Sequence, residues 1–158
     1  MNEKCFEGMA GAYAAMFTPI AKDGSVDEAA IEAEIEFGLA NGLAGFYLTG
    51  STGGWFLLSP EERKAVWRRA AKAANGRCKL IAHVGDTSTD VSVALAKAAA
   101  DIGVDWLSSV APPVFCTSFN RAFEHYRRVS EATDLPFMVY SIGSALVPER
   151  DIRFFDLK

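Results

Sequence analysis

A glycine-rich segment with two adjacent hydroxyls is the part of this sequence best suited to chemistry. It reads Leu48-Thr49-Gly50-Ser51-Thr52-Gly53-Gly54 and follows the apolar run Gly45-Phe46-Tyr47-Leu48, which is typical of a buried strand. Glycine lets the backbone approach a small anion, and hydroxyl and amide groups can then hold a carboxylate or phosphate. Since such hydroxyls also satisfy the backbone of ordinary turns, the spacing leaves a binding role and a turn role for Ser51 and Thr52 equally open.

Other polar side chains with chemical potential are more typical of structural roles. Tyr140 ends an apolar run, where a core tyrosine with a hydrogen-bonded hydroxyl is the more frequent case. His83 lies inside an apolar run and is interpreted as a core histidine rather than a ligand. His125 has charged neighbours at helical spacing, so we predict that it faces solvent. The same prediction covers a basic cluster on another helix: Arg63, Lys64, Arg68 and Arg69.

Strand-like and helix-like segments alternate along the whole chain. Short unbroken apolar runs are typical of parallel strands covered on both faces. Helix starts and ends are marked by capping residues, most clearly by Ser59 with Glu62, a capping box, and by Pro60 at the first helical position. The predicted strands are Ala12–Phe17, Gly45–Leu48, Lys79–Val84, Asp105–Val110 and Pro136–Ser141. The predicted helices are Asp27–Asn41, Ser59 to about Asn75, Thr87 or Ser88 to Ile102, Phe119–Thr133 and a beginning at Pro148–Lys158.

This alternation predicts an α/β fold built from successive βα units. Without an internal linker or low-complexity segment, residues 1–158 read as one domain. Repeated βα units leave two architectures open, a doubly wound sheet and a (β/α)₈ barrel. A full barrel typically takes about 250 residues, so only five of eight units fit here. In both architectures function gathers where the strands end, which brings together Thr18-Pro19, Thr49–Gly54, Gly85-Asp86-Thr87, Ala111-Pro112-Pro113 and Tyr140-Ser141.

Composition narrows the class of partner. The chain of 158 residues carries a formal net charge of −4, which gives no electrostatic case for nucleic acid or an acidic membrane surface. No apolar run is long enough to span a membrane, and no signal peptide is recognisable. Three scattered cysteines fit a reducing cytoplasm better than a disulfide framework or a zinc site.

Taken in order, a set of short motifs resembles the family of dihydrodipicolinate synthase and N-acetylneuraminate lyase, the pyruvate-dependent class I aldolases. Two stretches, Lys79–Gly85 and Ser118-Phe119, lean towards the N-acetylneuraminate lyase side. The matching motifs are Thr18-Pro19, Asp23-Gly24, Val26-Asp27, Gly50-Ser51-Thr52-Gly53, Leu58-Ser59, Glu62-Arg63, Ile81–Gly85, Pro112, His125-Tyr126 and Leu135-Pro136 through Tyr140.

The resemblance implies a fold and a mechanism. Members are (β/α)₈ barrels, usually homotetramers, in which a lysine on the sixth strand forms a Schiff base with pyruvate. Gly50, Ser51 and Thr52 match the positions that bind the keto-acid carboxylate, and Thr52 also joins the proton relay. Tyr140 matches the phenol that moves the proton at the carbon–carbon bond, a task suited to a group that both donates and accepts. The resemblance implies no metal and no organic cofactor.

Departures from the family pattern leave alternatives open. Gly54 stands where glutamate is usual, Val114 and Phe115 where a tyrosine pair is usual, and Ser141 and Gly143 where Asn and Pro are usual. The sequence also ends before the expected sixth strand and its lysine. The leading hypothesis is the N-terminal part of an N-acetylneuraminate lyase-like aldolase. The alternatives are a dihydrodipicolinate synthase-type condensation and a non-catalytic module that binds a keto acid or serves assembly.

The missing units imply a prediction about assembly. Five units leave sheet edges unpaired, so we predict that the chain pairs with another copy or with a complementary half-barrel. Apolar inner residues are predicted to face water, among them Leu48, Ile81 and Met138.

Overall fold

The computed structural model describes residues 8–110 and 119–140. Its centre is a five-stranded parallel sheet in which neighbouring strands follow chain order, β1-β2-β3-β4-β5. Each strand lies within a run that the sequence predicts. The strands are β1 (Tyr13–Ala15), β2 (Gly45–Leu48), β3 (Lys79–His83), β4 (Trp106–Val110) and β5 (Phe137–Tyr140).

Four helices connect or follow these strands, and their ends obey local capping chemistry. The Asp27 side chain accepts from the Ala30 amide at 3.0 Å, and Ser59 with Glu62 forms both bonds of the predicted capping box. Left-handed Asn75 and Gly103 end two of the helices. The helices are α1 (Glu28–Ala40), α2 (Pro60–Ala74), α3 (Thr89–Ile102) and α4 (Phe119–Ser130). The predicted helical beginning at Pro148–Lys158 lies outside the described residues.

The order of the strands decides between the two architectures. A doubly wound sheet reverses its strand order at a switch point, whereas a singly wound barrel adds each strand beside the last. The sheet described here has no reversal, and α1 packs on α2, α2 on α3 and α3 on α4. Since right-handed crossovers wound in one direction place every helix on the same face, this is the arrangement of the first five units of a (β/α)₈ barrel. The fold prediction is confirmed.

The main core lies between the sheet and the helices. On the helix side the strands contribute Phe46, Leu48, Leu80, Ala82 and Leu107, which meet helix residues such as Ile31, Ile35, Trp67 and Leu95. The alternate strand residues point to the other, inner face. Leu48 is fully buried against the helices, and Ile81, on the inner face, is only 3% exposed. The prediction that these two face water is therefore wrong, because strand register places Leu48 towards the helices and Ile81 is buried on the inner face.

The described residues hold no helix long and apolar enough to cross a membrane. Of the three cysteines only Cys78 falls within them, half-buried and with a free thiol.

Candidate functional site

The loop that follows β2 is a compact turn at the carboxyl edge of the sheet. Residues 51–54 form turns closed by a bond from the Gly54 amide to the Ser51 carbonyl at 3.1 Å. A short 3₁₀ helix, Trp55–Leu57, follows directly and is not anticipated by the sequence analysis. Gly54 precedes it with a φ of 65°, in the left-handed region that a glutamate enters only with strain.

Ser51 and Thr52 lie at the exposed tip of this loop. Within the described residues neither hydroxyl forms a hydrogen bond with a protein group, and the amides of Ser51, Thr52 and Gly53 have no protein acceptor. A hydroxyl whose task is to satisfy a turn donates to or accepts from that turn. The turn interpretation of these two hydroxyls, left open by the sequence, therefore has no contact to support it.

Thr49 anchors the start of the loop, a role that the sequence analysis misses. Its φ of 48° is left-handed, which is a costly conformation for a β-branched residue, and its side chain is buried. The Thr49 hydroxyl accepts from Trp67 Nε1 at 2.8 Å and donates to the His83 carbonyl at 3.4 Å. Thr18 holds the other end of the loop, since its hydroxyl donates to the Gly53 carbonyl at 2.8 Å.

Close packing requires glycine at position 50 of the loop and favours it at position 53. A Cβ on Gly50 would lie 2.3 Å from Cε1 of the Tyr47 ring, and a Cβ on Gly53 would lie 3.0 Å from the Thr49 Cα. The glycine at position 50 therefore lets the backbone rest on an aromatic ring. Glycine at position 50 thus serves close packing as well as the predicted binding of a carboxylate.

Tyr140 ends β5 and is 39% exposed at the same edge of the sheet. Its ring centroid lies 5.7 Å from that of Tyr47, although β3 and β4 separate their two strands. The Tyr47 hydroxyl in turn donates to Ser108 Oγ at 3.0 Å. The structure thus links the predicted phenol to the glycine-rich loop through Tyr47, a residue absent from the predicted set.

Arg63 corrects the prediction of a solvent-facing basic cluster. Its guanidinium is fully buried, whereas Arg68 on the same helix is exposed. Arg63 Nη1 donates to the Gly85 carbonyl at 3.0 Å, and Nη2 donates to the His83 carbonyl. Its charge lies 3.6 Å from the Asp86 carboxylate. Burial lowers the pKa of Arg63 to about 10, so it stays charged at neutral pH.

Two tryptophan rings enclose the same guanidinium. Its Cζ lies 5.9 Å from the ring centroid of Trp55 and 5.7 Å from that of Trp67, within cation–π range. Trp55 directly follows the glycine-rich loop, and Trp67 bonds Thr49 before it. Arg63 therefore supports this loop and the loop after β3 together. Its bonding partners are distant in the chain, so helical spacing gives no signal for them.

His125 also contradicts its prediction, because it is buried rather than solvent-facing. Its Nδ1 lies 2.9 Å from the Thr89 hydroxyl and its Nε2 lies 3.3 Å from Ser109 Oγ. Burial, followed by repulsion from Arg128, lowers its pKa to about 4. His125 therefore ties α4 to α3 and β4 as a neutral ring.

His83 is a buried core residue, as predicted. Its Nε2 accepts from the Val110 amide at 3.2 Å, which places the proton of the neutral ring on Nδ1. Burial and then the nearby Arg63 lower its pKa to about 3. The side chain is neutral at pH 7 and unsuited to bind an anion by charge.

A cleft of about 360 Å³ opens beside the loop. Thr18, Thr52, Gly53 and Glu62 supply its polar lining. Its apolar rim includes Phe17 and Leu57, which are 67% and 78% exposed. Within residues 8–110 and 119–140, no group of three or more His, Cys, Asp or Glu side chains is placed to hold a metal ion.

Comparison with known proteins matches the sequence to one family. The sequence matches the Dihydrodipicolinate synthetase family over residues 8–150. N-acetylneuraminate lyase from Escherichia fergusonii is 39% identical over 133 residues, which is 84% of this chain and 45% of that protein. The chain thus spans about half the length of the curated relatives it matches.

Solved structures of both branches superpose on the chain. N-acetylneuraminate lyase from Mycoplasma synoviae has a TM-score of 0.88 at 32% identity, covering 97% of this chain and 53% of that one. Dihydrodipicolinate synthase from Aquifex aeolicus has a TM-score of 0.80 at 33% identity, covering 84% and 45%. The likeness therefore extends to the N-terminal half of either enzyme.

Proposed function

Because the chain belongs to the dihydrodipicolinate synthetase family, we propose that it carries the keto-acid-binding part of a pyruvate-dependent class I aldolase. The observation that supports the proposal is the exposure of the Ser51 and Thr52 hydroxyls and their lack of hydrogen bonds to described protein groups. Both hydroxyls are exposed at the carboxyl edge of the sheet, and neither has a protein partner among the described residues. Groups that are left free at the functional edge of a barrel are available to a ligand.

The loop supplies several donors to one small anion. The hydroxyls of Ser51 and Thr52 and the amides of residues 51–53 point to no protein acceptor within the described chain. Successive free amides in a turn form a concavity that favours an anion, and charge-assisted hydrogen bonds are the stronger kind. A pyruvate carboxylate fits this donor set in charge and size.

Tyr140 is the proposed proton carrier. Its phenol is partly exposed at the same edge and can donate to or accept from a carboxylate, a carbonyl or a second hydroxyl. In the proposed reaction the bound keto acid becomes an enamine through a lysine Schiff base, and the phenol transfers the proton at the carbon–carbon bond that forms or breaks. The family resemblance assigns that lysine to a sixth strand, so the covalent step requires more of the barrel than the five strands described.

Within this reaction class, cleavage of the N-acetylneuraminate lyase type is the leading candidate. It is supported by the identity to lyases of this name and by the motif at Lys79–Gly85. Condensation of the dihydrodipicolinate synthase type is the alternative, since structures of both kinds superpose on the chain. A non-catalytic keto-acid-binding or assembly module is the second alternative, favoured by Val114 where the family usually has a tyrosine.

Protection against thermal unfolding by pyruvate tests the binding proposal. A ligand at ten times its dissociation constant stabilises the native state by about 1.4 kcal/mol through mass action. We expect pyruvate to raise the melting temperature of the wild-type chain and of a Ser25→Ala control, whose hydroxyl lies in another exposed loop. We expect no protection of the Ser51→Ala/Thr52→Ala double variant, and none by the uncharged methyl ester of pyruvate. Equal protection of the double variant would overturn the proposal.

A further inference from the structure

We propose that Tyr47 is a positioning residue that holds the Gly50–Gly53 loop and the Tyr140 phenol in a single arrangement on the inner face of the sheet. The inference deepens the proposed function and rests on it for the identity of the ligand. Tyr47 contributes through its neighbours, without contacting the keto acid itself.

The Tyr47 ring packs directly against the loop at Gly50. The position of a Cβ on Gly50 would be 2.3 Å from ring Cε1 and 2.7 Å from Cδ1, so the backbone and the ring are in direct contact. Any displacement of the ring towards the loop therefore moves Gly50, and the free hydroxyls of Ser51 and Thr52 follow it in the chain.

The same ring also packs against the ring of Tyr140. The two ring centroids lie 5.7 Å apart with an interplanar angle of 36°, within the range of favourable aromatic pairs. Such pairs contribute about 0.5–1.5 kcal/mol beyond the burial of their area. The β5 phenol, which is partly exposed, thereby gains a fixed neighbour from β2, two strands beyond its own partner strand β4.

The Tyr47 hydroxyl fixes the ring between these two neighbours. It donates to Ser108 Oγ on β4 at 3.0 Å, and Ser108 is fully buried. Burial raises the pKa of Tyr47 to about 12, so the phenol remains a neutral donor throughout the physiological range. The Tyr47 hydroxyl is engaged with a buried partner, whereas Tyr140 is partly exposed, and this difference separates their roles.

A matched tyrosine lies on β1, the strand next to β2, opposite Gly45 rather than Tyr47. Tyr13 on β1 packs its ring on Gly45, where a Cβ would be 2.5 Å from the ring, and its hydroxyl has no hydrogen-bond partner among the described residues. A leucine at position 13 removes a similar ring-on-glycine contact, at Gly45 rather than at Gly50 of the loop. Tyr13→Leu is therefore the control for the packing cost of Tyr47→Leu.

The first measurement is hydrogen exchange of the Gly54 and Trp55 amides, whose bonds to Ser51 and Gly50 close the loop. We expect Tyr47→Leu to speed exchange of these two amides at least tenfold and to weaken pyruvate binding by a similar factor. Tyr47→Phe should stay within about threefold of wild type because the ring remains. Tyr13→Leu should leave both amides unchanged. Equal exchange in Tyr47→Leu and Tyr13→Leu would overturn the inference.

The second measurement is the ring proton spectrum of Tyr140 in Gly50→Ala, which serves if Tyr47→Leu fails to fold. The added methyl must displace the Tyr47 ring, so we expect the Tyr140 ring resonances to shift although position 50 lies in the loop after β2 and Tyr140 ends β5. Resonances identical to those of wild type would refute the link. If pyruvate does not protect the wild-type protein against thermal unfolding, the proposed function fails. Hydrogen exchange of the Gly54 and Trp55 amides and the Tyr140 ring spectrum still decide the role of Tyr47.

Discussion

Replacing the buried Arg63 by methionine probes the support beneath the candidate site. Methionine has a similar length and fills the space between Trp55 and Trp67, so the cavity term is small. What is lost are two charge-assisted hydrogen bonds, to the carbonyls of His83 and Gly85, and the ion pair with Asp86.

The magnitude follows from the groups left behind. Each buried carbonyl that loses its donor costs about 1–3 kcal/mol. Removing one member of a buried charged network typically costs about 3–5 kcal/mol in total. We therefore expect Arg63→Met to lower the free energy of unfolding by about 3–5 kcal/mol. Lysine keeps the charge but not the fork of donors, so Arg63→Lys should lose about half as much.

Urea denaturation of the three proteins, with Arg68→Met as the matched control, measures these differences. Arg68 is exposed on the same helix, and its substitution should change the free energy of unfolding by less than about 0.5 kcal/mol. A loss for Arg63→Met within 1 kcal/mol of that of the control would refute the reasoning. If Arg63→Met does not fold, the value for Arg63→Lys decides: no loss there would equally contradict the assigned role.

Two further predictions concern pH and assembly. The pKa values of His83 and His125 are lowered in the folded state to about 3 and about 4, so below about pH 6.5 the unfolded chain binds protons that the folded chain does not. As the pH falls from 8 to 5, each histidine should therefore lower the free energy of unfolding by about 2 kcal/mol. His125→Gln should abolish about half of the combined loss, which urea denaturation at the two pH values measures. The assembly prediction rests on two observations: β1 and β5 each pair with only one neighbour in the described sheet, and Phe17 and Leu57 are largely exposed. Light scattering at low micromolar concentration should therefore show a dimer or a larger species. An unchanged pH response in His125→Gln, or a monomer that melts cooperatively, would contradict the respective prediction.

Local chemistry made most of the elements predictable. The Ser59 capping box, the glycine and asparagine stops and the apolar runs act within a few residues, and the helices and strands begin and end close to the predicted positions. The family resemblance, carried by short motifs in order, was likewise available from sequence and is confirmed by the match over residues 8–150. The roles of Ser51, Thr52 and Tyr140 stay predictions until a ligand is tested.

Tertiary contacts decided which polar residues support the site. Helical spacing placed Arg63 and His125 on a face of a helix, but only packing against carbonyls and hydroxyls of other elements shows that these faces are buried. The apolar run of β2 likewise hides which residue points inward, because both faces of a barrel strand are covered. Strand register sends Leu48 to the helices and Tyr47 to the inner face, and that alternation brings a β2 ring against the β5 phenol. The sequence by itself therefore determined the units and their order, whereas the pairing of distant strands determined the contacts that join them into one site.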